Sequence, residues 1–456
     1  MARERKSMDM TQGVIWKQLI MFAVPLLIGQ LFQQLYSTVD SVVVGRFVGK
    51  EALAAVGSTG NIINALISFF GGLSMGGTVV ISQFFGAKNE KGVHSAVHTI
   101  LALTFFCGIF VTALGVFATP YMLKWMNTPG DVIGQAQEYL RIYFSGVMGL
   151  MVYNLGSGIL RSVGDSRRPL YFLIFSAMTN LVLDLLFVVG FGWGIAGVAY
   201  ATIIAQFLSA VLIIIVLCRS HECYRLVWKD LHIDGAVLRR VLKIGLPTGL
   251  QQGITSLSNV FVQSYMNAFQ SSCMAGYASY QRLDAFAWLP MMCIGMANTT
   301  FVGQNLGAGN VQRAKRGTRT AIQMAFAGTI ALVAVLMIFN KQLLSLFNED
   351  VEVLRYGSMF VLFMSPFYIP YCAMQIYSGA LRGAGDSFSP MVIVLSSFVA
   401  FRQVYLFIGT KLITSPLFVA SSYPAGWLVA SISMYLIYRS GRWEHNVANI
   451  AKTAKA

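Results

Sequence analysis

Three aspartates and two arginines, Asp40, Asp184, Asp284, Arg282 and Arg402, stand inside long apolar runs of this chain. An ionisable side chain in hydrocarbon costs several kcal/mol, and it turns toward the protein interior or a water-filled path. Each of the five is therefore a candidate for function. Asp40 closes a polar stripe: Gln30, Gln33, Ser37 and Asp40 are spaced by three, four and three, which puts them on one face of a helix. Gln252, Thr255 and Asn259 repeat the stripe half a chain later, with Val262 where Asp40 stands. Both helices are expected to line a polar cavity, and only the first supplies an acid. Arg282, Asp284 and Arg402 read as an intramembrane cluster whose charges neutralise one another.

Depth groups a second set of residues with Asp40. If its helix leaves the apolar layer near position 45, Asp40 lies about 8 Å below that end. Asp184, in a run ending near position 190, lies about 9 Å deep, and Thr202, in the run re-entering near 195, about 10 Å deep. Asn180 is one helical turn from Asp184 on the same face. Two carboxylates, an amide and a hydroxyl form an all-oxygen set, suited to a hard cation such as Na⁺ or to a shared proton. The alternative is that Asn180 and Thr202 only tie helices together. Pro25 breaks the backbone ladder of the same first helix and marks a hinge.

Other chemistry-bearing residues are less committal. Tyr36, Tyr139, Tyr143, Tyr277 and Tyr280 offer aromatic faces for cation–π contact with a lipophilic cation. Asn154 and its repeat partner Gln375 fall near the middle of their runs and are weaker candidates for lining the substrate cavity. His94 and His98 share a helical face that would suit a metal. No third ligand is near them in sequence, so they read as a wet helix start, and no metal site is expected. The six cysteines are scattered without metal-type spacing.

These residues need elements that can hold them inside a membrane. The chain of 456 residues is 56% hydrophobic and 11% charged. A soluble surface needs roughly twice that charge. The apolar residues fall in runs of about twenty, the length that spans a bilayer. Twelve spans are predicted, at about 19–45, 53–81, 97–118, 136–160, 169–190, 195–217, 245–268, 276–302, 320–340, 355–381, 388–408 and 417–438. The first is too long for the core of a signal peptide. The net charge of +15 does not point to nucleic acid. Most Lys and Arg fall on one side of the spans, including Arg3, Arg5, Lys6, Arg167, Arg168, Arg239, Arg240, Arg313, Arg316, Arg439, Lys452 and Lys455. The positive-inside rule then places both termini in the cytoplasm.

The segment from Ser157 to Pro169 reads SGILRSVGDSRRP, and that from Ser378 to Pro390 reads SGALRGAGDSFSP. In the same register Gln83, Gly86, Ala87 and Asn89 match Gln304, Gly307, Ala308 and Asn310, and with the register shifted by one residue Pro25 and Gln30 match Pro247 and Gln252. Three coincidences half a chain apart establish an internal repeat. Each repeat holds six spans, an even number, so both enter the membrane from one side. Parallel repeats of this kind are related by a pseudo-two-fold axis along the membrane normal, with substrate between them. The fold class is thus all-α and integral to the membrane, in two six-helix lobes. The expected divisions are residues 1–217, a basic cytoplasmic linker at 218–243, and 244–456 with a cytoplasmic tail. In each GDS-x-x-P element, Gly164 caps one helix, Asp165 or Ser166 starts the next, and Pro169 suits its first turn.

The opening AVPLLIGQLFQQLYSTVDSVVVGRFVG, the pair ISQFFGAKN and VGQNLGAGN, and the paired LRxxGDSxxP segments resemble the MATE transporters, the multidrug and toxic compound extrusion family. The resemblance covers nearly the whole chain. It implies twelve helices in two lobes, alternating access, and export driven by an inward H⁺ or Na⁺ gradient. It is closest to the DinF-like branch, whose N-terminal cation site matches Asp40, Asn180, Asp184 and Thr202. The acids that the NorM-like branch carries in spans 7 and 10 have no counterpart here. The expectation is a secondary antiporter of small, drug-like, lipophilic cations in a bacterial inner membrane, working as a monomer, with no cofactor beyond the coupling ion and no enzymatic activity. The alternative is a flippase for lipid-linked or oligosaccharide cargo, whose phosphates would favour basic cavity residues where this chain has acids.

Overall fold

The computed structural model describes residues 8–126 and 128–444, the side chain of Asn61 excepted. Arg3, Arg5, Lys6, His445, Lys452 and Lys455 lie outside them. Helices are the only regular elements among the described residues. The long ones, in chain order, are α1 (Ile15–Val48), α2 (Lys50–Gly86), α3 (Glu90–Trp125), α4 (Gly130–Ser145 with Val147–Ser162), α5 (Arg167–Gly190), α6 (Gly194–Arg219), α7 (Gly235–Met266), α8 (Ser271–Gly307), α9 (Val311–Ile338), α10 (Val351–Gly383), α11 (Phe388–Gly409) and α12 (Pro416–Arg439).

Ten of these helices are long and apolar enough to cross a membrane, and the pair in α4, bent by 48° at Gly146, makes an eleventh. The twelfth, α7, has the length but carries Gln251, Gln252, Thr255, Ser256, Ser258 and Asn259 along its middle, so composition alone does not mark it as a span. The apolar side chains left uncovered are those a bilayer would take: Phe106, Ile109, Phe110, Phe117 and Trp125 of α3 are all exposed. In hydrocarbon every backbone group has to be satisfied within the chain, which is why helices carry the whole fold.

The internal repeat is visible as duplicated turns. Gly164 and Gly385 take φ +86° and +84°. Asp165 and Asp386 donate their backbone N–H back to Leu160 and Leu381 at 2.9 and 3.0 Å. A residue with positive φ at this place closes a helix and is cheapest as glycine. Asp165 Oδ1 then accepts the N–H groups of Arg167 and Arg168 at 3.1 Å, starting α5. Asp386 Oδ1 does the same for Ser389 at 3.0 Å in α11. The expected turn is therefore built twice. Asn89 and Asn310 cap α3 and α9 by accepting the N–H of Gly92 and Arg313.

The chain divides into two compact units, and the division differs from the simple halves expected at 217 and 244. One unit holds Ile28–Gly245, the other Met10–Leu27 and the chain from Leu246 onward. The first turns of α1 thus pack with the second unit, and the first turns of α7 with the first unit. The repeated glutamines secure both arrangements. Gln304 Oε1 accepts the backbone N–H of Met10 at 2.9 Å, while Gln83 Oε1 accepts from Arg240 Nη2 at 2.8 Å. Pro25 and Pro247 each stand within three residues of the point where their helix changes unit. The missing N–H of proline permits a bend there.

Candidate functional site

Within the first unit, α1 and α5 both lose α-helical regularity just past an aspartate. Residues Val44–Val48 form a π turn that starts four residues after Asp40, and Leu185–Gly190 form another directly after Asp184. Such wide turns recur at functional sites because they re-aim side chains that a regular helix would fix. The turns are packed from outside by a cluster that includes Val44, Ala52, Tyr139, Phe144, Val188 and Val198. That packing sets Asp40 and Asp184 on the wall of one pocket, each carboxyl within the electrostatic field of the other.

Asn180 and Asp184 are each 1% exposed, and Thr202 of α6 is 8% exposed. Asn180 Nδ2 donates to Thr202 Oγ1 at 3.4 Å, and Thr202 donates onward to the Val198 carbonyl at 3.0 Å. This fixes the direction of the amide. Its N–H side is used, and its oxygen is turned away from any donor. Four buried oxygens, Asp40 Oδ1, Asn180 Oδ1 and both carboxylate oxygens of Asp184, have no hydrogen-bond donor. Buried acceptors are nearly always paired, and a buried unpaired carboxylate is among the most costly groups a protein can hold. The cluster lacks positive charge, so a proton or a small hard cation satisfies it.

Phe32, Leu35, Tyr36, Val39, Ala177, Met178 and Leu181 join Asp40, Asn180 and Asp184 around a pocket of about 180 Å³. Tyr36 and Tyr139 bring their phenol groups into the field of both carboxyls. The structure thus brings together Asp40, Asn180, Asp184, Thr202 and Tyr36. Gln30, Gln33 and Ser37 do not line the pocket, and Gln33 and Ser37 are exposed. Asn154 is committed to its own helix, donating to Leu150 O at 2.9 Å.

The second unit has no such cluster at the matching helices. Arg402 of α11 is 2% exposed, and its Nη2 donates to Ser258 Oγ at 2.6 Å and Asn259 Oδ1 at 2.9 Å on α7. Its guanidinium lies 4.8 Å over the Tyr423 ring. A third π turn, Ser396–Phe401, ends directly before it. Asn259, expected to line a cavity, instead receives this arginine. Thr255 donates to Gln251 O within its helix, Gln252 O accepts from Ser256, and Gln375 donates to Tyr371.

The expected neutral cluster of Arg282, Asp284 and Arg402 is corrected by the structure. Among the described residues no ion pair joins them. Arg282 is exposed. Asp284 accepts from Trp288 Nε1 at 2.9 Å, from Tyr280 at 3.2 Å and from the Tyr368 hydroxyl. Neutral aromatic donors replace the anticipated counter-ions, since three O–H and N–H groups satisfy a carboxylate without burying a second charge. Tyr280 is thereby spoken for, and Tyr277 bonds Tyr423 at 3.3 Å. Both are buried ring-packing residues of the second unit. Tyr368, Trp288, Tyr423 and Ser258 were not singled out from the sequence, and spacing along one helix gives no sign of partners contributed by another.

Comparison with known proteins agrees with this architecture. The MatE family model matches residues 25–186 and 247–408. The chain is 30% identical over 454 residues to the probable multidrug resistance protein YpnP of Bacillus subtilis (strain 168), covering 96% of this chain and 98% of that protein. It is 27% identical to the FAD transporter of Shewanella oneidensis, covering 84% of this chain and 86% of that protein. A crystal structure of MATE in the bent conformation superposes with a TM-score of 0.90 at 24% identity, covering 100% of both chains.

Proposed function

This chain belongs to the MatE family, and from that premise we propose that it is a secondary multidrug exporter whose coupling cation binds at Asp40, Asn180, Asp184 and Thr202. The observation that carries the reading is the set of four buried oxygens without donors. With neither proton nor cation bound, the aspartate pair carries two negative charges in a buried place. One bound cation halves that charge and two remove it, so occupancy of the site follows the H⁺ or Na⁺ gradient.

Binding acts on α1 because Asp40 is its contribution to the site. The helix passes between the two compact units just beyond Pro25. Drawing Asp40 toward α5 changes the strain on a helix already free to bend at that proline, and this links ion loading to alternating access. The pocket of about 180 Å³ is smaller than the 300–1,000 Å³ typical of drug sites, so it suits an ion, its water and the edge of a larger molecule. Its carboxylates favour cargo that is lipophilic and cationic, and disfavour phosphate-bearing cargo such as FAD or a lipid-linked sugar. The positive-inside distribution supports a bacterial cytoplasmic membrane with both termini inside, and the complete site within one unit supports a working monomer.

Proteoliposomes separate the alternatives. Export of ethidium, a fluorescent lipophilic cation, is measured with a pH gradient alone and a Na⁺ gradient alone. Export driven by one of them and lost in Asp40→Asn is expected. Equal export without any gradient, or export of FAD in preference to ethidium, would overturn the proposal.

A further inference from the structure

His94 and His98 acquire in the fold the third ligand that the sequence lacks nearby. Both stand on the opening turns of α3. The 218–243 segment returns a short helical turn, Trp228–Asp230, against them. His94 Nε2 and Asp230 Oδ2 lie 3.2 Å apart, and one ligand atom from each of His94, His98 and Asp230 falls within 4.8 Å of the others. Zinc held at about 2.1 Å in a tetrahedron sets its ligand atoms roughly 3.4 Å apart, so the first pair already has the required separation. We propose that His94, His98 and Asp230 form a binding site for a borderline divalent cation of the Zn²⁺ or Co²⁺ class.

The hydrogen bonds around the rings support ligation. His98 Nδ1 lies 2.7 Å from the His94 carbonyl and Nε2 lies 3.0 Å from the Val227 carbonyl, so each nitrogen has an acceptor, and a metal selects the tautomer with the proton on Nδ1 and the lone pair on Nε2. A ligating histidine is oriented by this second bond to a backbone carbonyl. Nε2 accepts the Val227 N–H at 3.1 Å. Val227 lies three residues from Asp230, and a metal takes the lone pair as that N–H swings aside. His232 braces the turn: its Nδ1 lies 2.7 Å from the Asp230 carbonyl, and its ring stacks on that of His98 with centroids 6.4 Å apart. Access is open on one side, since the side chains of His94 and Asp230 are 35% and 52% exposed while His98 is buried.

Neighbouring candidates are excluded by their own chemistry. Asp234 Oδ1 accepts from the N–H groups of Ala236 and Val237 at the start of α7, and Oδ2 accepts from Ser95. The backbone bond from Val237 above all holds that carboxyl below the usual range and commits it to capping. Burial, together with Glu90 and Glu222, pushes the Cys223 thiol up to about 11. It stays protonated at neutral pH, a poor ligand. A bound metal would staple the segment between the two repeats to the foot of α3, restraining the tract that carries Arg225 and Lys229.

The test uses the full-length protein without an affinity tag, purified in detergent and titrated with Zn²⁺ against a chromophoric chelator, and separately with Co²⁺. One equivalent of Zn²⁺ with a Kd in the micromolar range or below is expected, with Co²⁺ giving the visible absorption of a four-coordinate site. His94→Ala and Asp230→Ala replace accessible side chains, so both variants should elute as folded protein. Each should weaken Zn²⁺ at least roughly tenfold. Cys223→Ser and His221→Ala should leave the Kd unchanged. Zinc should also slow tryptic cleavage after Arg225 and Lys229 in the parent protein but not in Asp230→Ala. A titration with no stoichiometric binding, or a site that survives both His94→Ala and Asp230→Ala, overturns the proposal.

Discussion

The α1–α5 pair of one unit and the α7–α11 pair of the other come from the same repeated sequence, yet solve opposite electrostatic problems. In the first, two aspartates and an amide oxygen meet without a donor among them. In the second, a buried arginine donates to Ser258 and Asn259 and rests on Tyr423. The repeat puts Val262 and Tyr405 where Asp40 and Asp184 stand. On the proposed reading the first pair takes its cation from solution, while the second carries one that cannot leave. If the proposed site is the coupling site, ion coupling belongs to one side of the duplicated scaffold only.

The contrast predicts a graded series of losses. Asp40→Asn or Asp184→Asn mimics the protonated state permanently, and either should reduce gradient-driven export to the level of protein-free vesicles with expression intact. Because the residues act as one unit, adding Thr202→Ala to Asp184→Ala should cost little more. Strictly additive losses would show four independent packing residues instead. Arg402→Met should do something different in kind. It takes the donor from Asn259 Oδ1, while Ser258 keeps its bonds to Phe398 and Gln403, lowering stability by roughly 2 kcal/mol and the Tm in detergent by several degrees. The surviving folded protein should keep its ion dependence. Should Arg402→Met alter which gradient drives transport, the one-sided assignment is wrong.

Asp284→Asn sharpens the same point. The amide turns a donor toward one of Tyr280, Trp288 or Tyr368, at about 1 kcal/mol, with transport per folded molecule unchanged. A changed ion dependence in this variant would mean the second unit also couples. The smallest effect belongs to Thr202→Val. It removes the acceptor that orients Asn180, a long bond at 3.4 Å. Apparent affinity for the coupling ion should fall roughly threefold, below 1 kcal/mol, as measured by the ion concentration giving half-maximal export.

Much of this was legible in the sequence, for reasons that can be named. Helical rise and a shared helix face brought Asp40, Asn180, Asp184 and Thr202 to one level before any coordinates, because spans in a bilayer start and stop at common planes. The GDS-x-x-P turns were equally readable, since their capping bonds lie within ten residues. What stayed hidden was contributed across helices. Tyr368 and Trp288 answer Asp284, Ser258 answers Arg402, and Asp230 answers His94, none at a spacing that a single helix reveals. The changeover of α1 and α7 between units was hidden too, although Pro25 and Pro247 marked its position. Opposite charges in apolar runs suggest pairing with one another, whereas neutral donors around Asp284 and neutral acceptors around Arg402 take that place at lower desolvation cost.

Cation uptake by the purified protein tests the central claim most directly. Protein in weakly buffered detergent is titrated with acid at constant Na⁺, and with Na⁺ at constant pH, and the ion bound per molecule is counted. The parent protein and Arg402→Met should each take up at least one H⁺ or Na⁺ that the folded Asp40→Asn/Asp184→Asn double variant does not. Identical uptake by the parent and the double variant would contradict the account.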